Sequence, residues 1–228
     1  MCDFTAKRNK DPDQATLATL METVTEATPF VDSAFPADET SLLWTEVGET
    51  WSTASEVEVW KRIKDVYGGG DYSLFGSNGV TPRDIFQGSI GNCWFMSALS
   101  AIAEKPGRVE KLFLNPTNEI EPLGIYGIQM KALGVNHTVL VDDFLPGSMN
   151  SNDEFKPLFA GVQGDNSVWG AVIEKAFAKF HGNYKHTVGG WPHRAVWDLL
   201  GGPYEEYDHL EEAGGRVITS VDDLWAKL

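Results

Sequence analysis

The sequence predicts an α+β fold: a mostly helical lobe with a central buried helix and a short β-hairpin beside it. Three patterns lead to this prediction. The run from Cys93 to Ala103 is apolar nearly all round, as expected of a helix enclosed by the core. A second run, 166–182, has apolar residues at the i, i+3, i+4 spacing of a helix. Between them, two short stretches of strand-forming residues flank Gly134.

The composition excludes several classes of function. A hydrophobic share of 42% and eight tryptophans indicate a folded core. The formal net charge of -15 leaves no basic stripe for phosphates, so we expect no nucleic-acid partner. No apolar run approaches the ~20 residues of a membrane span, so no transmembrane segment is expected. Two cysteines are too few for a disulfide framework, and the N-terminus lacks the apolar stretch of a secretory signal, which indicates a cytoplasmic protein.

Two regions follow one another along the chain. Residues 1–29 form an acidic N-terminal segment, and residues 30–228 form the core. Within the first region, the apolar spacing of 13–27 predicts a short amphipathic helix, and a disordered tail is the alternative. Residues 30–44 mix aromatic, acidic and proline residues and are predicted to lie extended over the core. The glycines of 68–79 predict a loop.

The boundaries of the core elements come from glycine and proline. The helix that begins at Cys93 must end before Pro106, which is followed by glycine. Stretches 124–132 and 137–143 are the two predicted strands. The helix over 166–182 ends in glycine, and the glycine pairs that follow it enclose short helical or turn material.

The stretch QGSIGNCWFMSALSAIAEK, 87–105, combines features that suit a nucleophile. The thiolate is the reactive form of cysteine, and the free N–H groups and dipole at a helix N-terminus stabilise a negative charge there. Gly88 and Gly91 allow a tight turn and close approach of a substrate. Acyl transfer needs donors for an oxyanion, and the Cys93 N–H and the Gln87 amide are candidates. A lone cysteine before an apolar helix is more often a core residue, but this combination favours the nucleophile.

The same stretch resembles the catalytic cysteine motif of the calpains, which are calcium-dependent, papain-like cysteine proteases. FVDSAFPADETSLLW, VLVDDFLP and VWGAVIEKAFAKFHGNY resemble other segments of that family, so the resemblance covers 30–228. It implies the first lobe of a papain-like protease core, with Cys93 as nucleophile, Gln87 as oxyanion-hole donor and proteins as substrates. One departure is local: the family usually has aspartate directly before the cysteine, and this chain has Asn92.

The resemblance also implies one calcium ion in this lobe. The matching positions are the backbone carbonyls of Ser77 and Gly79 and the carboxylates of Asp84 and Glu174. Calcium prefers several oxygen ligands on a flexible loop, which agrees with this set. The alternatives are that Asp84 pairs with Arg83 or a nearby lysine, and that Glu174 is a solvated helix residue.

The second departure concerns the catalytic base. A cysteine protease needs a histidine, oriented by asparagine, to take the thiol proton. In calpains both lie in a second lobe, which we expect to be absent from this chain and to be supplied by a longer protein or by a partner chain. Each histidine of this sequence is expected to be a surface residue, and only His193, in a loop near the cleft, is worth testing as a base: His137, His181, His186, His193 and His209. The alternative function is a catalytically incomplete calpain-like binding or scaffold module.

Overall fold

A computed structural model describes residues 14–68, 70–115, 117–162 and 166–205, with 222, 225 and 226. Over those residues the fold is α+β, as predicted. The helices are α1 (Gln14–Thr23), α2 (Glu39–Leu42), α3 (Ile63–Tyr67), α4 (Cys93–Ala103), α5 (Trp169–His181) and α6 (Pro192–Leu200). The strands are β1 (Val59–Arg62), β2 (Ile85–Phe86), β3 (Ile125–Ala132), β4 (Val135–Asp142), β5 (Phe144–Met149), β6 (Phe155–Pro157) and β7 (Gly161–Val162). No helix among the described residues is both long enough and apolar enough to span a membrane.

The strands form small antiparallel sheets. β3 and β4 make the predicted hairpin, with Ile125 opposite Asp142 and Ala132 opposite Val135. The turn between them is Leu133-Gly134, and both residues have positive φ. β5 lies between β1 and β6 in a three-stranded sheet, and β2 pairs with β7. No strand was predicted at β1, β2, β5, β6 or β7, which are two to six residues long.

The core lies where α4 and α5 meet. The rings of Phe95 and Phe177 stack with centroids 4.0 Å apart, and Trp94 meets Phe177 edge-on at 5.7 Å. Seven residues of α4 are buried, but the helix is not enclosed all round as predicted, because Cys93, Ser97 and Ala101 lie exposed along one face. α5 begins at Trp169 and not at 166, because Asn166 has a φ of 65°, outside the helical region.

α5 is more deeply buried than its sequence pattern suggests. The apolar stripe predicts a helix with one polar face, yet Glu174 and Lys175 are buried along with their apolar neighbours. Burial lowers the pKa of Lys175, and the carboxylate of Asp142 opposes that shift. The Lys175–Asp142 ion pair joins α5 to the end of β4. Lys179, one turn on, forms a second ion pair of 3.1 Å with Asp32.

The N-terminal part of the chain packs on the hairpin. The predicted helix is present as α1, and its Leu17 is buried against Ile125 and Leu140. The stretch 30–44 is not extended throughout, because Asp38 caps the short helix α2 by accepting a hydrogen bond from the N–H of Thr40. The boundary between the two regions at residue 29 stays a prediction.

Candidate active site

Cys93 is the first residue of α4, and its thiol is free and exposed. As the first helical residue, it has a backbone N–H with no acceptor inside the helix. Gly91, two residues earlier, has a φ of 78°, which favours glycine over any other residue. The left-handed turn at Gly91 leads the chain into α4 with Cys93 at the surface.

Gln87 lies at the other end of the segment that links β2 to α4, and it is also exposed. This segment, 87–92, packs against the backbone of residues 158–160. The N–H of Ser89 donates to the carbonyl of Leu158 at 2.8 Å. A Cβ on Gly88 would lie 2.0 Å from the carbonyl oxygen of Phe159, so only glycine fits there. The predicted role of Gln87 in an oxyanion hole remains a prediction.

Trp94 forms the base of the site. Its indole N–H donates to the carbonyl of Thr187 at 2.8 Å, and the side chain is buried. The chain after Thr187 continues beside the cysteine segment, where the N–H of Gly189 donates to the carbonyl of Gly91 at 3.2 Å. Two apolar side chains of this stretch are exposed, Val188 by 42% and Trp191 by 58%. Val188 and Trp191 therefore form an exposed apolar rim beside the segment that carries Cys93.

Glu174 lies within the core, behind the segment that carries the cysteine. Its Oε1 accepts from Nδ2 of Asn92 and its Oε2 from the N–H of Ala160, both at 2.7 Å. Burial raises the pKa of Glu174 to about 7, although both hydrogen bonds oppose that shift. Glu174 is only 2% exposed, so it is not the solvated residue that was the alternative. Each oxygen of Glu174 thus accepts one hydrogen bond from the protein, and its role as a calcium ligand stays a prediction.

Asp84 ends a 3₁₀ turn, Pro82–Asp84, just before β2. Its carboxylate accepts from the N–H and hydroxyl of Thr81, at 2.8 and 2.9 Å, and from the indole of Trp169 at 3.0 Å. Its hydrogen-bond partners are therefore Thr81 and Trp169, whereas the alternative reading expected Arg83 or a lysine. The described residues contain no group of three or more His, Cys, Asp and Glu side chains that could hold a metal.

The predicted carbonyl ligands lie in the loop ahead of this turn. Ser77 is exposed, and Gly79 has a φ of 73°. Carbonyl oxygens and one carboxylate are suitable donors for calcium, but the fourth predicted ligand, Glu174, is directed elsewhere. The calcium set of Ser77, Gly79, Asp84 and Glu174 is therefore not assembled by the side-chain contacts seen here and stays a prediction.

The described histidines have partners other than Cys93. Nε2 of His181 lies 3.1 Å from Oδ2 of Asp198, and Nε2 of His186 lies 2.5 Å from Oε1 of Glu49. His193, predicted in a loop, lies instead in the first turn of α6, where its ring stacks on Trp191. His137 packs near the ring of Phe180. In the part of the chain that the structure describes, none of them is hydrogen-bonded to the thiol, and His209 lies outside that part.

Sequence reasoning missed the buried contact between Asn92 and Glu174. Two signals pointed to it: an acidic residue on a helix of mostly apolar residues, and a polar residue directly before the cysteine. Because the two residues are far apart in sequence, nothing in either stretch alone pairs them.

Comparison with known proteins identifies the family. The sequence profile of the calpain family cysteine proteases matches residues 30–228. The chain is 32% identical to the calpain-type cysteine protease ADL1 of Oryza sativa subsp. japonica over 207 residues, which is 87% of this chain and 9% of that protein.

Two animal proteins resemble the chain at a similar level of sequence identity. The chain is 34% identical to calpain-5 of Caenorhabditis elegans over 182 residues, covering 78% of this chain and 26% of that protein. It is 31% identical to the calpain-1 catalytic subunit of Gallus gallus over 188 residues, covering 82% and 25%. The chain thus spans about a quarter or less of these relatives. With the cysteine at the head of a buried helix, the profile match shows that this chain belongs to the calpain family of cysteine proteases.

Proposed function

We propose that this chain is the first lobe of a calcium-dependent cysteine endopeptidase of the calpain type. The observation that carries the proposal is the free, exposed thiol of Cys93 at the N-terminus of a buried helix. Gln87, exposed on the segment that leads to it, is the proposed second oxyanion donor. A histidine and an asparagine come from a second lobe or a partner chain.

The chemistry follows from this arrangement. The histidine takes the thiol proton, and the sulfur of Cys93 attacks the carbonyl carbon of a peptide bond. The Cys93 N–H and the Gln87 amide stabilise the oxyanion. The histidine returns the proton to the nitrogen of the leaving amine, the C–N bond breaks, and an acyl-thioester remains on Cys93. Water then attacks the thioester, which releases the acid and restores the thiol.

Calcium dependence and a cytoplasmic location are parts of the same proposal. Asp84 is the candidate carboxylate ligand, since it lies three residues before Gln87 and ends the turn that leads into β2. Ser77 and Gly79 would add carbonyl oxygens, and Glu174, which accepts one hydrogen bond on each oxygen, would add a second carboxylate. A reducing compartment agrees with a chain that has only two cysteines. Calcium that raises the melting temperature of the chain, and no longer does so in Asp84→Asn, would support the site.

A binding or scaffold module is the second candidate function. It is favoured by the absence of a catalytic base at the thiol: none of the described histidines is hydrogen-bonded to Cys93, and His181 and His186 pair with Asp198 and Glu49. The exposed Val188 and Trp191 beside Cys93 would then serve a protein partner and not a substrate.

A casein-hydrolysis assay, run with calcium and with a chelator, separates the two functions. Hydrolysis that disappears in Cys93→Ala would establish the peptidase and would make His193 the first base to substitute. If this chain alone does not turn over casein, the proposal predicts Cys93-dependent hydrolysis once a calpain lobe with histidine and asparagine is added. If neither mixture cleaves casein, the binding module is the better account.

A further inference from the structure

Glu174 is a buried carboxylate that lacks a cationic partner among the described residues. The ion pairs of the core use its neighbours on α5, Lys175 and Lys179. Glu174 is instead held by two neutral donors, Nδ2 of Asn92 and the N–H of Ala160, both at 2.7 Å. A buried charge is costly to keep without a counter-ion, so these two bonds define where the carboxylate lies.

The first of these donors belongs to the residue directly before Cys93. Asn92 is fully buried and is the N-cap residue of α4, yet its side chain does not cap the helix. Its carbonyl accepts the N–H groups of Phe95 and Met96, which form the first turn. Because Asn92 bonds to the first turn through its backbone and to Glu174 through its side chain, Glu174 fixes the end of α4 that presents the thiol.

The second donor belongs to the wall on which the cysteine segment rests. Residues 158–160 carry the carbonyls against which Gly88 packs, and Leu158 accepts from the N–H of Ser89 at 2.8 Å. The Ala160 N–H extends this wall to Glu174. One carboxylate therefore attaches both the helix start and the adjoining wall to α5.

We propose that Glu174 is the positioning residue of this site: it holds the Cys93 thiol in place by bridging Asn92 and Ala160. The proposal rests on the proposed function, in which Cys93 is the nucleophile. It adds a positioning role to the calcium ligation that the family resemblance suggested for Glu174.

The test alkylates Cys93 with iodoacetamide in a Cys2→Ser background, so that labelling reports on one thiol. Glu174→Met removes both acceptors at similar volume. Val172→Ala is the matched control, because it opens space on the same buried helix without touching the bridge. We expect Glu174→Met to slow alkylation of the folded chain about tenfold, the effect of losing a hydrogen bond to a charged group. Val172→Ala should lower the melting temperature without changing the rate.

A double substitution tests the bridge itself. Asn92→Asp alone makes two carboxylates face each other, so alkylation should slow. Adding Glu174→Gln restores the contacts, because the new amide N–H₂ donates to residue 92 and the amide oxygen accepts from the Ala160 N–H. The bridge predicts that Cys93 is alkylated faster in the double variant than in Asn92→Asp. Equal alkylation rates in these two variants would overturn the proposal.

Amide hydrogen exchange at Phe95 and Met96 keeps this proposal separate from the proposed function. If Cys93 of the chain without substitutions reacts no faster than free cysteine, the nucleophile assignment fails. The exchange measurement then still shows whether Glu174 holds the start of α4. Faster exchange at these two amides in Glu174→Met, but not in Val172→Ala, supports the bridge. Unchanged exchange and unchanged alkylation in Glu174→Met would reduce Glu174 to a core residue with no role in positioning.

Discussion

At the residue scale, the unusual group is Glu174, a carboxylate enclosed behind the nucleophile candidate. Burial raises its pKa from 4.5 to about 7. Between these values the folded chain holds a proton at Glu174 that the unfolded chain has released. The free energy of unfolding therefore falls as the pH rises through this window, by about 3 kcal/mol in total.

This fall in stability with rising pH should be absent in Glu174→Gln. The variant lacks the titrating group, so its stability relative to the unmodified chain should improve by about 3 kcal/mol between pH 4.5 and pH 7.5. Urea denaturation at both pH values measures the difference. Glu56→Gln, which removes an exposed carboxylate, is the control and should show no such trend. A difference between the unmodified chain and Glu174→Gln that does not change with pH would mean that Glu174 titrates as an ordinary carboxyl.

The sequence identified single residues well where the chemistry was local. The motif around Cys93 predicted a cysteine at a helix N-terminus, and the structure places it there. The predicted calcium-ligand roles of Asp84 and Glu174 came from the family resemblance. Their hydrogen-bond partners could not be predicted from local sequence. Their partners, Trp169 and Asn92, are 85 and 82 residues away, so tertiary packing decides what these carboxylates touch.

At the element scale, the segment between β2 and α4 is positioned by the wall beneath it. Gly88→Ala should destabilise the chain by roughly 2 kcal/mol, because the new methyl group would meet carbonyl oxygens at 2.0 and 2.3 Å. Gly202→Ala is the matched control, since nothing lies within 4 Å of a Cβ there. Thermal melts of the two variants measure the difference. Equal melting temperatures would show that the segment does not rest on residues 158–160 as described.

A second element-scale prediction concerns the contact of α5 with the hairpin. Lys175→Met leaves Asp142 buried without its cation, which costs about 3–5 kcal/mol when a buried pair loses one partner. Lys61→Met, at an exposed position of β1, should stay within about 0.5 kcal/mol of the unmodified chain. Chemical denaturation compares them. A small effect of Lys175→Met would mean that Asp142 is satisfied by its backbone donors alone.

The long elements were predictable and the short ones were not. Eight-residue strands and helices of eleven or more residues show their period in the sequence, so the β3–β4 hairpin, α4 and α5 were found. β2 and β7 have two residues each, too few for any period, and they exist because tertiary contacts bring their backbones together. The deep burial of α5 was hidden for a related reason: the charge of Lys175 predicts a solvated side chain unless its contact with Asp142 is known.

At the scale of the whole molecule, the thiol, Gln87 and an apolar rim are presented at the surface. Phe86, Val188 and Trp191 are each more than 40% exposed. Exposed apolar groups beside a free thiol are what the first lobe of a two-lobe protease would offer to its second lobe and its substrate. The structure identifies which apolar residues are exposed there.

The central claim is that Cys93 is a primed nucleophile, and labelling with a peptidyl epoxide inhibitor tests it most directly. Mass spectrometry of the labelled chain, with Cys93→Ala alongside, locates and counts the adducts. The account predicts one adduct, on Cys93, with Cys2 unlabelled over the same time and no adduct in Cys93→Ala. An unlabelled Cys93, or equal labelling of Cys2 and Cys93, would contradict it.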